Sequence, residues 1–161
     1  IAGDLPFIWD ILKQAISRRK KDGSNQWQDG YPNPSVIEGD IAKGCGFVLL
    51  KEKTIVGYTA LLINDEPEYA RLEGEWLSNE DFVVFHRVAI SQEYLGMGLA
   101  KKLFLHIERF AKLHKINSIK ADTNFDNPAM LALFDKLGYK YCGQVYFRGS
   151  HRRAYEKILQ P

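Results

Sequence analysis

Phe82-Val83-Val84-Phe85-His86-Arg87-Val88-Ala89-Ile90-Ser91-Gln92-Glu93-Tyr94-Leu95-Gly96-Met97-Gly98-Leu99-Ala100-Lys101-Lys102-Leu103 joins a strand, a glycine turn and a helix start in one piece. Phe82 to Ile90 is apolar and rich in β-branched residues, which predicts a strand. A polar link leads to glycines at 96 and 98, and an amphipathic helix follows at once. Glycine lets backbone approach a ligand, and the first N–H groups of a helix have no internal acceptor. Those donors and the positive end of the helix dipole suit a phosphate or pyrophosphate. The same residues are also compatible with a tight turn that only delivers a packing helix. No Gly-Lys-Ser/Thr follows, so the turn is not a P-loop, and Lys101 stands where a dinucleotide fingerprint needs its third glycine.

Size and composition set the limits around this piece. The 161 residues, 45% hydrophobic and 26% charged, suit a single domain over 1–161 with a substantial core. A net charge of +2 gives no ground for a nucleic-acid partner. No apolar run reaches the roughly 18 residues of a membrane span, and no signal-peptide pattern opens the chain, so a cytoplasmic protein is expected. Cys45 and Cys142 lack metal-ligand spacing and read as small buried thiols. The chain opens on Ile1 rather than Met, so a fold whose first strand lies before Ile1 is expected to appear truncated.

Working outward, residues 4–20 read as a helix with Ile8, Ile11, Leu12, Ala15 and Ile16 on one face. Residues 22–34 form a loop holding Trp27 and Tyr31, which either fold back on the core or line a substrate pocket. Asn33 caps a short helix, Pro34 to Lys43, that Gly44 stops. Phe47–Leu50 and Thr54–Ile63 make a hairpin across Glu52-Lys53. Residues 64–79 are acidic and irregular. The long helix spans Met97 to Lys115 with a stripe of Leu99, Leu103, Ile107, Phe110 and His114. Ser118–Thr123 is a strand, Asn127 caps a helix with Pro128 at its first position, and Gly138 ends it. Strands Tyr139–Arg148 and Arg152–Leu159 close the chain through Gly149-Ser150-His151, offering an edge for a homodimer. This order predicts an α/β fold with helices on both faces of a mixed sheet.

Tyr94-Leu95-Gly96-Met97-Gly98-Leu99-Ala100 resembles the acetyl-CoA signature of the GNAT N-acetyltransferases, Arg/Gln-x-x-Gly-x-Gly/Ala, with Leu95 departing at the first position. Asn127-Pro128-Ala129 and Leu133-Phe134-Asp135-Lys136-Leu137-Gly138-Tyr139 look like that family's Asn-x-x-Ala and Leu-Tyr-Glu-Lys-x-Gly-Phe. The resemblance implies a mostly antiparallel sheet splayed between its middle strands, acetyl-CoA as cosubstrate, an amine acceptor, no metal, and no nucleic-acid or membrane partner. It assigns cosubstrate contacts to Val88, Ile90, Leu95, Gly96, Met97, Gly98, Leu99, Ala100, Lys101 and Asn127. The arm of the cosubstrate is expected to run between the parted strands, with the Val88 N–H polarising the thioester carbonyl.

The attacking amine must be neutral, so a base is expected. His86, two residues before Val88, and Glu75 are the leading candidates, with Glu73 and Asp81 behind them. Asn127 either caps its helix or reaches the cosubstrate. Phe134 replaces the tyrosine that many members use to protonate the leaving thiolate; Tyr139, Tyr141, Tyr146 or water are the substitutes at hand. Transfer of acetyl from acetyl-CoA to a small molecule or peptide amine is the function this implies. The other reading, which Phe134 and Leu95 favour, is an acyl-CoA-binding sensor without turnover.

Overall fold

A computed structural model describes residues 1–160. After a 3-10 turn at Ala2–Asp4 come helix α1 (Leu5–Lys21), α2 (Pro34–Ala42), strands β1 (Gly46–Lys51) and β2 (Thr54–Ile63), and a 3-10 turn at Pro67–Arg71. Then follow β3 (Glu73–Gly74), β4 (Phe82–Ile90), a 3-10 turn at Gln92–Tyr94, α3 (Leu99–Leu113), β5 (Ser118–Thr123), α4 (Pro128–Lys136), β6 (Lys140–Phe147) and β7 (Ser150–Ile158). The strands form one mixed seven-stranded sheet in the order β1-β2-β4-β5-β7-β6-β3. Its β1–β2, β3–β6, β5–β7 and β6–β7 pairs are antiparallel, and β4–β5 is parallel. That parallel register runs Phe82–Val84 against Ser118–Lys120 and ends there.

The chain divides into two compact units, Ile1–Leu61 with Phe85–Leu105, and Leu62–Val84 with His106–Pro161. In the first, Ile8, Ile11, Leu12 and Ala15 of α1 recur at helical spacing and pack with Ile37, Tyr58 and Ala89. Leu12 and Ile37 are fully buried, a state worth about 1.5–3 kcal/mol per side chain. Trp27 packs against this cluster, so that loop aromatic folds back onto the core. Val56, Ile90, Leu99 and Leu103 form a separate cluster. Ala89 and Ile90 are neighbours on β4 and point to opposite faces, which puts α1 and α2 on one side of the strand and the start of α3 on the other.

The second unit centres on Tyr69, Val84, Val145 and Ala154, with Leu72, Trp76 and Phe147 against them. Asn127 caps α4, its Oδ1 accepting from the Met130 N–H at 3.2 Å, as its position before Pro128 predicts. Phe134 is fully buried, 5.1 Å from the Tyr139 ring and 4.7 Å from that of Tyr155.

Several expected details change. α3 begins at Leu99, not Met97, because Gly98 sits at φ +72, outside helical space. Its buried stripe runs Leu99, Leu103, Phe104, Ile107 and Ala111. His114 is exposed beyond the last turn, where its Nδ1 lies 2.9 Å from the Phe110 carbonyl oxygen. The acidic segment expected to be irregular contains β3, which pairs Glu73 with Gln144 and Gly74 with Gly143. The last hairpin turns tightly at Arg148-Gly149, both at positive φ, so Ser150 and His151 belong to β7. Of the two C-terminal strands, β7 lies inside the sheet, while β6 is covered on its outer side only by the two residues of β3. Among the described residues, no helix is long and apolar enough to cross a membrane. Among the described residues, no group of His, Cys, Asp and Glu side chains is arranged to hold a metal ion.

Candidate active site

The first unit builds the turn from fixed parts. The Ser91 N–H donates to the Val56 carbonyl at 2.9 Å, continuing the sheet one residue past β4. α1 then grips the link: Arg18 Nη2 donates to the Ile90 carbonyl at 3.0 Å, and the Gln92 N–H donates to Gln14 Oε1 at 2.8 Å. Arg18 Nη1 also reaches Gln92 Oε1 at 3.2 Å. Tyr94 packs on the cluster of Val56, Ile90, Leu99 and Leu103, with the Lys51 ammonium 5.1 Å from its ring centroid.

From this anchored link the backbone swings out. Residues 95–98 are exposed, with Gly96 at φ +77 and Gly98 at φ +72. A Cβ added at either would meet nothing within 4 Å. The Lys102 N–H makes the first bond of the helix, to the Gly98 carbonyl at 3.1 Å. Among the described residues, no backbone acceptor serves the N–H groups of Gly96, Gly98, Leu99, Ala100 or Lys101. The turn thus presents a row of free donors at a helix N-terminus in open space, an arrangement that fits a diphosphate. Lys101 and Lys102 are exposed beside it, and Leu95 holds an apolar side chain in solvent there.

Upstream, β4 carries an irregularity that the sequence does not announce. Arg87 lies at φ +57, a conformation that costs a non-glycine residue about 1–3 kcal/mol. Its guanidinium forks onto Asp40 of α2, with Nε to Oδ2 at 2.9 Å and Nη2 to Oδ1 at 2.7 Å. Nη1 donates to the Tyr31 hydroxyl. The Tyr58 hydroxyl donates to Asp40 Oδ2 at 2.6 Å, and the Cys45 thiol faces the same carboxylate. Both ends of the ion pair are 8% exposed. Burial alone would lower the arginine, but Tyr31 and Asp40 together raise it, so it stays charged. Burial, then the bond to Asp40, pushes the Tyr58 phenol well up and keeps it a donor. Losing one partner of such a pair costs about 3–5 kcal/mol. The available sequence signal for this network was an arginine within an apolar strand, since a buried charge requires a partner. His86 precedes Arg87, half-buried, and its backbone carbonyl accepts from Thr59 Oγ1 at 3.0 Å. Val88 and Ile90 pack with the α3 cluster.

The remaining sequence-derived candidates lie in the second unit. Glu75 is exposed, and its N–H donates to the Cys142 carbonyl at 2.9 Å. Glu73 is exposed beside His151, and Asp81 accepts from Asn64 Nδ2 at 2.9 Å. Asn127 is buried at its capping post. None of the proposed substitutes for the tyrosine at 134 stands out as an acid: Tyr139 is buried and its phenol pushed well up by that burial, while Tyr141 and Tyr146 are exposed. Two buried networks here went unread in the sequence. Glu156, fully buried, accepts from Ser118 Oγ at 2.6 Å, Ser78 Oγ at 2.7 Å and the Leu77 N–H at 2.6 Å. Asp122 accepts from the Tyr69 hydroxyl at 2.8 Å and pairs with Arg152 at 3.5 Å.

Comparison with known proteins agrees with the fold and the turn. A sequence model of the acetyltransferase (GNAT) family matches residues 9–139. The chain is 25% identical over 142 residues to the uncharacterized N-acetyltransferase YesJ of Bacillus subtilis, covering 87% of this chain and 78% of that protein. It is 27% identical over 143 residues to human N-acetyltransferase 8B, covering 89% and 58% respectively. A crystal structure of a GNAT-family acetyltransferase from Streptococcus agalactiae superposes with a TM-score of 0.91 at 34% identity, covering 100% of this chain and 93% of that one. Another, from Listeria monocytogenes, gives 0.77 at 21% identity over 98% of this chain and 90% of that one. With its strand, turn and helix start inside the matched region, the chain belongs to the acetyltransferase (GNAT) family.

Proposed function

We propose that the protein is an N-acetyltransferase, a single functional domain that moves an acetyl group from acetyl-CoA to a primary amine by direct attack. The observation that carries this is the set of unbonded N–H groups at Gly96 and from Gly98 to Lys101 on the exposed turn of a GNAT-family chain. These donors hold the diphosphate of the cosubstrate. The Val88 N–H, on the strand that feeds the turn, stabilises the thioester oxygen as it gains charge, a contact whose loss costs about 2.7–4 kcal/mol in comparable sites. Neutralising a lysine-like amine of pKa about 10.4 at pH 7 costs roughly 4–5 kcal/mol, so a base contributes. His86, half-buried two residues before Val88, is the group we assign to that role, directly or through water. Glu75 is a weaker candidate because it is exposed. The names of the two protein relatives, both N-acetyltransferases, support an amine acceptor.

Phe134 favours a second reading, an acyl-CoA-binding module without turnover, because a fully buried phenyl ring supplies no proton to a departing thiolate. Incubation with acetyl-CoA and panels of amines and peptides, following free thiol, separates the two. Amine-dependent thiol release is the expected result. Tight binding of acetyl-CoA with no release across broad panels would replace the transferase reading with the sensor.

A further inference from the structure

We propose that the Asp40–Arg87 ion pair, tied to Tyr31, is a positioning device that holds residue 87 in left-handed backbone and so aims the Val88 N–H at the reacting carbonyl. The inference rests on the role of Val88 proposed above. Nothing in the chemistry of arginine favours φ +57, so the surrounding contacts must impose it. Those contacts are specific. The fork of Arg87 onto both oxygens of Asp40 fixes the plane of the guanidinium, and the Tyr31 hydroxyl takes a third donor. Asp40 is itself held by the Tyr58 hydroxyl from β2. A rotation about φ of residue 87 turns the peptide plane that joins it to Val88. The direction of the Val88 N–H therefore follows from whether the fork is closed. Asp40 sits on α2 and Tyr31 in the preceding loop, and both reach β4 through their bonds to Arg87.

Three variants test this: Asp40→Asn, Arg87→Ala and Arg87→Gly. Each is assayed for kcat and KM for acetyl-CoA, melting temperature, coenzyme A affinity by calorimetry, and φ at residue 87 by crystallography. Asp40→Asn and Arg87→Ala are expected to lose about tenfold to a hundredfold in kcat, less than the loss of the donor itself, with KM for acetyl-CoA nearly unchanged. Arg87→Gly loses the same side-chain contacts but adopts positive φ freely, so its kcat should exceed that of Arg87→Ala severalfold and its melting temperature should be no lower. If the pair serves stability alone, the two Arg87 variants differ in melting temperature but not in kcat. Equal kcat in the two Arg87 variants, or kcat unaltered in all three, would overturn the proposal. If the parent protein binds coenzyme A but transfers nothing, the transferase reading fails. The positioning claim is then decided by the Asp40→Asn structure: residue 87 leaving left-handed space supports it, and residue 87 remaining near φ +57 refutes it.

Discussion

Two glycine pairs in this molecule both lie at positive φ and have opposite surroundings. Gly96 and Gly98 lie at positive φ in open space, where an added Cβ meets nothing within 4 Å. Gly74 and Gly143 also lie at positive φ, at +150 and +140, where β3 crosses β6. There a Cβ on Gly74 would stand 2.1 Å from the Cys142 carbonyl oxygen, and one on Gly143 would stand 2.2 Å from that of Glu73. The first pair clears room that the protein leaves unfilled, while the second fills its room with its own backbone. Emptiness around a glycine, combined with free N–H groups, is what separates a binding turn from a packing contact.

The largest expected effect of breaking this contrast is Gly143→Ala. Backbone strain and a carbonyl collision together should cost about 2–6 kcal/mol, read as a lowered urea midpoint. A loss below 1 kcal/mol would mean that the crossing yields easily. Gly98→Ala should act in the other sense. Stability falls by only about 1–2 kcal/mol from the left-handed conformation, while KM for acetyl-CoA rises because the added methyl group crowds the bound diphosphate. Equal effects of Gly98→Ala and Gly143→Ala on stability, with no change in KM, would erase the distinction.

The helix cap at Asn127, the strand from Phe82 to Ile90 and the α1 stripe were all legible in the sequence, because each is set by residues within a few positions of one another. β3 was not. Two residues carry no alternating pattern, and its pairing depends on a glycine some seventy positions away that allows backbones to touch. The turn itself was legible as glycine spacing, but its supports were not: Gln14 and Arg18 lie on α1, more than seventy positions from the link they hold at Ile90 and Gln92. Arg87 escaped for the same reason, since its partner Asp40 lies on another element.

Arg18→Ala sharpens the role of those supports. It removes charge-assisted bonds from the link, with a stability change of about 1 kcal/mol or more and a further rise in KM for acetyl-CoA. An unchanged KM would confine Arg18 to packing.

The thiols provide the gentlest probe, one in each unit. Burial pushes both Cys45 and Cys142 above the ordinary value of 9.0, with Asp40 adding to the first and Glu156 to the second. Raised values mean that the native state keeps its protons while the unfolded chain loses them. The stabilising contribution is complete below pH 9 and is lost as pH rises through the native values. Alkylation at pH 9 should therefore be much slower in the native protein than in urea. In Gly143→Ala, Cys142 should become reactive while Cys45 does not. Equal exposure of both thiols would show that the damage spreads beyond the β3–β6 crossing.

Nitrogen-15 NMR during titration with coenzyme A tests the diphosphate turn most directly. The amides of Gly96, Met97, Gly98, Leu99, Ala100 and Lys101 are expected to move downfield together and saturate with the ligand, while those of Gly74 and Gly143 stay in place. Binding that saturates with these amides unmoved, or no binding at all, would contradict the assignment of the turn.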